Sequence, residues 1–424
     1  MSIAAYVAAH VGPHVAAHVN TERLWARHEA LARHGVTANG GVDRQALSIE
    51  MINACREVIA WGRAAGLEPS TDAAGNLFLR AEGSDPTAVP VVTGSHLDSQ
   101  PSGGKFDGVF GVLAGIEAVQ AIHDAGVKLQ RPVEVVAWMN EEGSRFAPGM
   151  MGSAAFAGAK PLADFLDVRD AEGISVGEAL GAWHAAFAAL PSRPLQRPLA
   201  AYVEAHIEQG PVLEREGFQV GVVTGIQGKR TFRVTVRGVE AHAGTEPLSQ
   251  RRDALLSAVR IIHALDEAMQ GGGPDLKFTV GRLAVTPNAP SVVPGGAVFS
   301  IDLRHVDSSI LTSLGDRIAS ICAGQAGACD VEVVELTTAS SLAFPSGITT
   351  LIRDRAAALG VPALDILSYA GHDARFLHDV CPTGMIFVPC KDGISHNPAE
   401  SAKPEDLAAG TRVLAEVLVA LASA

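Results

Sequence analysis

The residues best suited to chemistry gather first in Thr93–Asp107, TGSHLDSQPSGGKFD, directly after the apolar run VPVV (Val89–Val92). That run reads as a buried strand. His96 and Asp98 are two apart, so on an extended backbone they share a face. A Pro/Gly/Ser turn follows, and Asp107 opens GVFGVLAGIEAV, an apolar segment with helical spacing. One imidazole and two carboxylates therefore meet where a strand ends and a helix begins, the usual ligand position in open α/β sheets. The set suits a metal half-site. Taken alone it suits better an N-cap Asp107 with a hydrogen-bonded His96 beside a turn.

Partners elsewhere must decide between these readings. RPVEVVAWMNEEGSRF reads as a strand ending in Glu141 and Glu142. Adjacent carboxylates at a strand end point to opposite sides of the pleat, so one can bind a metal while the other faces a water. A solvated turn is the alternative, but two carboxylates at the edge of a buried strand are costly without a cation. YVEAHIEQGPVLEREG places His206, Glu208 and Gln209 on or just past a strand, and TGMIFVPCKDGISHNPAE carries His396 after another. His96, His206 and His396 with Asp107 and Glu142 suit two borderline divalent ions sharing one Asp. Such pairs, about 3.5–4 Å apart, serve metal-assisted hydrolysis. Glu141 is then the natural general base for the water between them. His10, His14 and His18 also recur every four residues, but Pro13 interrupts them and no acidic partner is near. They read as a surface arm.

The elements that must position these residues form an α/β pattern. Helices over residues 20–66 precede a turn and short strand within DAAGNLFLRAEG, then the strand before His96. A helix from Gly108 leads to the Glu141 strand. Residues 151–198 read as Ala-rich helix with a Pro-rich break. From Lys229 the texture changes to strand–helix–strand–strand–helix–strand, an α+β sandwich with its own core. We expect a metal-binding α/β domain with a central mixed sheet over residues 1–228 and 339–424, and an inserted lid over 229–338. The 424 residues have ordinary globular composition and a net charge of −13, which argues against nucleic acid as partner. No segment qualifies as a membrane span. Five cysteines, an odd number with no CxxC pair, and an N-terminus without a basic leader point to a reducing, cytoplasmic setting.

GSHLDSQPSGGKFDGVFGVLAG, NEEGSRF, HIEQGPVLE, GIQGKRTFRVTVRGVEAHAGTEPLSQRRDAL, GHDA and GISHNPAE run in this order through nearly the whole chain. Together they resemble the hydantoinase/carbamoylase amidases of the dizinc aminoacylase/carboxypeptidase-like superfamily. The resemblance implies that His96, Asp107 and His206 hold one ion, and that Asp107, Glu142 and His396 hold the other. Zinc is expected first, with manganese, cobalt or nickel as alternatives. Glu141 would be the base and Asp98 would orient His96. His206, where related carboxypeptidases use a carboxylate, marks the amidase branch. Gln209, His242 and Arg304 would contact substrate, His242 at the oxyanion and Arg304 at a carboxylate. Asn288, Ser291, Gly371 and His372 would border the pocket, although His372 also suits a helix cap. Two positions depart from the family pattern. Ser291 stands where an Asn is usual, with Asn288 three residues upstream, and Tyr369 replaces a Gly.

The implied activity is hydrolysis of the carbamoyl group from N-carbamoyl-L-amino acids or N-carbamoyl-β-amino acids. An allantoate amidohydrolase is the near alternative. A dipeptidase or aminoacylase, or a metal-free binding relative, is more distant. The implied partners are a small ureido carboxylate and a second copy of the chain, paired through the lid, with neither nucleic acid nor membrane.

Overall fold

The computed structural model describes residues 15–423; His10 and His14 lie outside them. The chain divides into two compact units, residues 1–224 with 344–424, and residues 225–343.

The first unit begins with helices α1 (Thr21–Leu31) and α2 (Ile49–Ala64). Their N-caps are Asn20 and Ser48, whose side chains accept the amides of Arg23 and Met51, satisfying donors that a helix start leaves open. Strands β1 (Glu68–Asp72) and β2 (Leu77–Ala81) form a hairpin. Then come β3 (Val91–His96), α3 (Val109–Asp124) and β4 (Val133–Trp138). The stretch read as continuous helix is broken into α4 (Met151–Ala157) and α5 (Val176–Ala186), because Gly158 and Gly173 take positive φ between them. Next are β5 (Ser192–Arg193), β6 (Ala201–Ile207), α6 (Val212–Glu216) and β7 (Val220–Ile226).

The insert contains β8 (Gly228–Arg237), β9 (Ala241–His242), α7 (Ala254–Met269), β10 (Lys277–Thr279), β11 (Leu283–Thr286), β12 (Val292–Val293), β13 (Gly296–His305), α8 (Ser308–Gln325), β14 (Asp330–Ala339) and β15 (Leu342–Ala343). The chain then returns to the first unit with α9 (Ser346–Ala358), β16 (Ala363–Ser368), α10 (Ala374–Leu377), β17 (Thr383–Val388) and α11 (Pro404–Ala422).

The sheet of the first unit runs β7-β17-β6-β3-β4-β2-β1-β5, with β16 also on β7. It is mixed, as expected. Its middle four strands, β17, β6, β3 and β4, are mutually parallel, so their C-terminal ends share one edge. They are buried along their whole length. This explains why they read as apolar runs rather than alternating ones. Helix α3 packs behind them and is apolar almost all round, with thirteen of its sixteen residues buried; such a helix belongs in a core. In the insert, β8 and β13 alternate strictly between buried and open residues. Their inward side chains, including Phe232, Val234, Phe299 and Leu303, form a separate core with α7 and α8. No helix among the described residues is long and apolar enough to cross a membrane.

Candidate metal centre and active site

Each candidate ligand stands at the C-terminal edge of those four parallel strands. His96 is the last residue of β3, and His206 is the next to last of β6. Glu141 and Glu142 follow β4 through a turn in which Asn140 takes a φ of 54°. His396 follows β17 with a φ of 52°. Asp107 precedes α3, but it does not cap that helix: Gly108 is the N-cap residue and no side chain caps it. The capping alternative for Asp107 is therefore excluded. Gly108 itself must be glycine, since its φ is 65° and a Cβ there would lie 2.4 Å from the His96 ring.

Asp107 divides the site. Its Oδ1 lies 3.2 Å from His206 Nε2 and 3.7 Å from His96 Nε2. Its Oδ2 lies 3.1 Å from His396 Nε2, which is in turn 3.2 Å from Glu142 Oε2. Two ligand groups thus share one carboxylate, His96–Asp107–His206 and Asp107–Glu142–His396. Donor atoms about 2.0–2.1 Å from a tetrahedral ion sit roughly 3.3 Å apart, which is the spacing seen here. The tautomers fit as well. His96 Nδ1 is 3.0 Å from the Asp98 carbonyl, and His206 Nδ1 is 2.9 Å from the Ile207 carbonyl. Each Nδ1–H donates to its carbonyl, so in the neutral ring each Nε2 keeps its lone pair on the Asp107 side; that of His206 also lies 3.2 Å from the Gly108 amide, which donates to it. Lone pairs facing a carboxylate are the donor set of a cation.

The electrostatics make the same demand. Burial opposes charge on His96, yet Glu141, Asp107 and Asp98 outweigh it and raise its imidazole well above the ordinary value. Burial likewise opposes charge on His206, and Asp107 overcomes it. His396 is raised to about 9, mainly by Asp107. Asp107 is held well below the carboxylate range, because the three imidazoles outweigh its burial. Glu142 is pushed up to about 7 by burial and then by Asp107. Burial also raises Glu141 well above its ordinary value, and the neighbouring Asp373, Glu142 and Asp98 add to it. Glu141 Oε2 stands 3.6 Å from His96 Nε2.

Asp98 does more than was expected of it. Its carboxylate accepts the amides of Glu141 at 3.2 Å and Glu142 at 3.1 Å, so it fixes the turn carrying both glutamates. Its carboxylate stands 3.7 Å from His96 Nδ1, farther than its carbonyl. Gln209 donates its amide to Asp107 Oδ2 at 2.9 Å and to Ser395 Oγ at 3.1 Å. Glu208 instead accepts the amides of Val212 and Leu213 and starts α6. His372 caps no helix; its Nε2 meets Ser368 Oγ at 2.8 Å and its ring stands edge-on to His206 at 4.5 Å. Burial and the neighbouring His206 push it well below its ordinary value, so it is neutral. Gly371 sits against Met150, whose Cε would be 3.1 Å from an added Cβ.

Two carboxylates were missed. Glu400 accepts the amides of Phe106 at 2.8 Å and Asp107 at 3.1 Å, and so holds the Asp107 loop from 293 residues away. Glu204 takes Ser95 Oγ, Tyr202 OH and the Ala374 amide. An acid two residues before His206 inside an apolar strand was the available signal for Glu204.

In the insert, β12 pairs with β9 so that Val292 lies opposite His242. The Ser291 carbonyl accepts the Ala243 amide at 3.0 Å, and Asn288 takes a φ of 56° just upstream. His242 and Ser291 thus lie on or beside neighbouring strands within the insert, with Asn288 three residues upstream of Ser291. Arg304, on β13, donates Nε and Nη2 to Asp302.

Residues 92–420 match the family described as Peptidase family M20/M25/M40. The chain is 40% identical over 403 residues to an N-carbamoyl-L-amino-acid amidohydrolase from Rhizobium meliloti, covering 93% of this chain and 95% of that one. It is 32% identical over 403 residues to an allantoate amidohydrolase from Bacillus subtilis, covering 93% and 96%. The crystal structure of an amidase of the hydantoinase/carbamoylase family from Burkholderia multivorans superposes with a TM-score of 0.86 at 41% identity, covering 96% and 98%. The chain belongs to the hydantoinase/carbamoylase amidases of peptidase family M20/M25/M40. Within that family the shared Asp107 and the adjoining Glu141 are the parts of the arrangement suited to amide hydrolysis.

Proposed function

We propose that the protein hydrolyses the carbamoyl C–N bond of N-carbamoyl-L-amino acids, or of their β-amino counterparts, releasing the amino acid, CO₂ and ammonia. The observation that carries this reading is the pair of ligand groups sharing Asp107 beside Glu141, in a chain 40% identical to an amidohydrolase of that name. His96, Asp107 and His206 would hold one divalent ion, and Asp107, Glu142 and His396 a second, with zinc ahead of manganese, cobalt or nickel. When bound, such ions supply Lewis acidity and acidify water.

The chain's own residues do the rest. Glu141, raised by burial, takes a proton from the attacking water and returns it to the leaving nitrogen. His242 Nδ1 accepts the Gly244 amide at 3.0 Å, which leaves the ring N–H on Nε2, ready to donate to the developing oxyanion. Arg304 grips the substrate carboxylate through its two-pronged guanidinium. Gln209 steadies Asp107, and His372, Asn288, Ser291 and Gly371 border the substrate. We further propose a homodimer formed through the insert, whose α7 exposes Leu256 and Val259. Five free buried cysteines suit a cytoplasmic enzyme.

The test is a kinetic panel on metal-loaded protein: N-carbamoyl-L-amino acids, N-carbamoyl-β-alanine, allantoate and dipeptides. The highest kcat/KM should fall on an N-carbamoyl amino acid. A clear preference for allantoate or a dipeptide would overturn the assignment. Light scattering should give twice the chain mass of 43.9 kDa, and a monomer would refute the dimer.

A further inference from the structure

Glu400 reaches two segments that lie far apart in the chain. It sits buried in the loop between β17 and α11. Its Oε1 accepts the amides of Phe106 at 2.8 Å and Asp107 at 3.1 Å, and its Oε2 faces Ser395 Oγ at 3.0 Å. Gly104 makes the room, since a Cβ there would lie 2.0 Å from Glu400 Cδ. Ser395 adjoins His396. One carboxylate therefore touches both segments that bring Asp107 and His396 to the outer ligand group.

Ser395 stands between two carboxylates. Its Oγ is 3.0 Å from Asp107 Oδ2 and 3.0 Å from Glu400 Oε2. A hydroxyl has one proton, so it donates to one of them at a time. Gln209 Nε2 donates its N–H groups to Asp107 Oδ2 at 2.9 Å and to Ser395 Oγ at 3.1 Å. A carboxylate oxygen offers about two lone pairs, and Gln209 takes one of those on Oδ2. If Ser395 took the other, none would be left on the side of His396 Nε2, 3.1 Å away, and Oδ2 would be closed to a cation. For Oδ2 to serve as a ligand, the Ser395 proton must turn to Glu400, whose carboxylate can accept it.

We propose that Glu400 is a positioning residue for the outer ligand group: it draws the Ser395 proton away from Asp107 Oδ2 and so keeps that oxygen open to a divalent ion. This rests on the reading that Asp107, Glu142 and His396 hold a second ion. A plain brace for the Asp107 loop would act on both ligand groups alike, because both use Asp107. The direction of the Ser395 proton acts on Oδ2, whereas His96 and His206 face Oδ1.

The experiment measures how tightly each ion is retained, by chelator competition with elemental analysis, in wild type, Glu400→Gln, Ser395→Ala and the double variant, with thermal melting as a check on the fold. Glu400→Gln keeps the shape. Its oxygen stays with the two backbone amides, because an NH₂ group there would meet two donors. Its NH₂ then faces Ser395 Oγ and leaves the serine proton to Asp107 Oδ2. The outer ion should be held about 10- to 100-fold more weakly, with the inner ion unchanged. Ser395→Ala removes the competing donor, so it should retain both ions within about twofold of wild type, and the double variant should return to that level. A brace would show no such rescue. Weakening of both ions together, a double variant as weak as Glu400→Gln, or unchanged retention in Glu400→Gln overturns the inference. So does a loss of about tenfold in Ser395→Ala alone, a variant that decides the matter even if Glu400→Gln does not fold. A wild type that retains a single ion overturns the two-ion reading and this inference with it, whereas two ions in wild type without rescue remove this inference alone.

Discussion

The two halves of the ligand cluster share Asp107 and differ in almost everything else. In the inner half, His96 and His206 end parallel strands, their side chains are 2% and 1% exposed, and backbone carbonyls lock both rings. In the outer half, His396 comes from a loop residue of positive φ and is 48% exposed. Glu142 rides on the turn that Asp98 holds. A ligand fixed before binding loses less freedom when it binds, and a buried site is screened less. Were both ligand groups filled, Asp107 would be common to two sites of unequal hold, the inner one keeping its ion more tightly than the outer.

The largest expected effect lies between the halves. Glu141→Gln keeps the shape but cannot take a proton, so kcat should fall on the order of 10²–10⁴ while elemental analysis finds the metal content unchanged. Near-normal kcat would remove Glu141 from the base role. Asp98→Asn comes next. It weakens the acceptor for the Glu141 and Glu142 amides, and groups that orient metal ligands typically contribute 10–100-fold in affinity or activity. Competition with a chelator should show the loss mainly in the weaker-held ion. An equal loss at both would deny that Asp98 acts through Glu142.

The smallest effect lies outside the centre. His28 stacks near Phe106 and Phe110, and burial pushes its imidazole down to about 3. Its folded value is below its unfolded one, so the unfolded chain binds the extra proton between about pH 6.5 and pH 3. Stability is full above pH 6.5 and lost as pH falls through that window. At pH 5 the loss is about 2 kcal/mol. His28→Phe should flatten this part of the stability–pH curve in chemical denaturation, and an unchanged slope would contradict the assignment.

What could be read from the chain in advance follows a physical division. His96, Glu141, Glu142, His206 and His396 were legible because each ends or follows a buried apolar run. Such runs in parallel strands announce themselves, and charge at their ends is conspicuous. The inserted sheet was legible from its alternation, although the single strand that the expected strand–helix–strand–strand–helix–strand order puts directly after the first helix is two, β10 and β11, both paired with β13. Glu400 was not legible, because its partners are two backbone amides that no side-chain pattern marks. The same is true of Asp98's hold on the glutamate turn.

The most direct test of the shared carboxylate is metal stoichiometry, followed by elemental analysis as a chelator is titrated into wild type, His396→Ala and Asp107→Ala. The account predicts two equivalents in wild type, released in two steps. It predicts one tightly held equivalent in His396→Ala and none retained in Asp107→Ala. A single release step in wild type, or loss of both equivalents in His396→Ala, would contradict it.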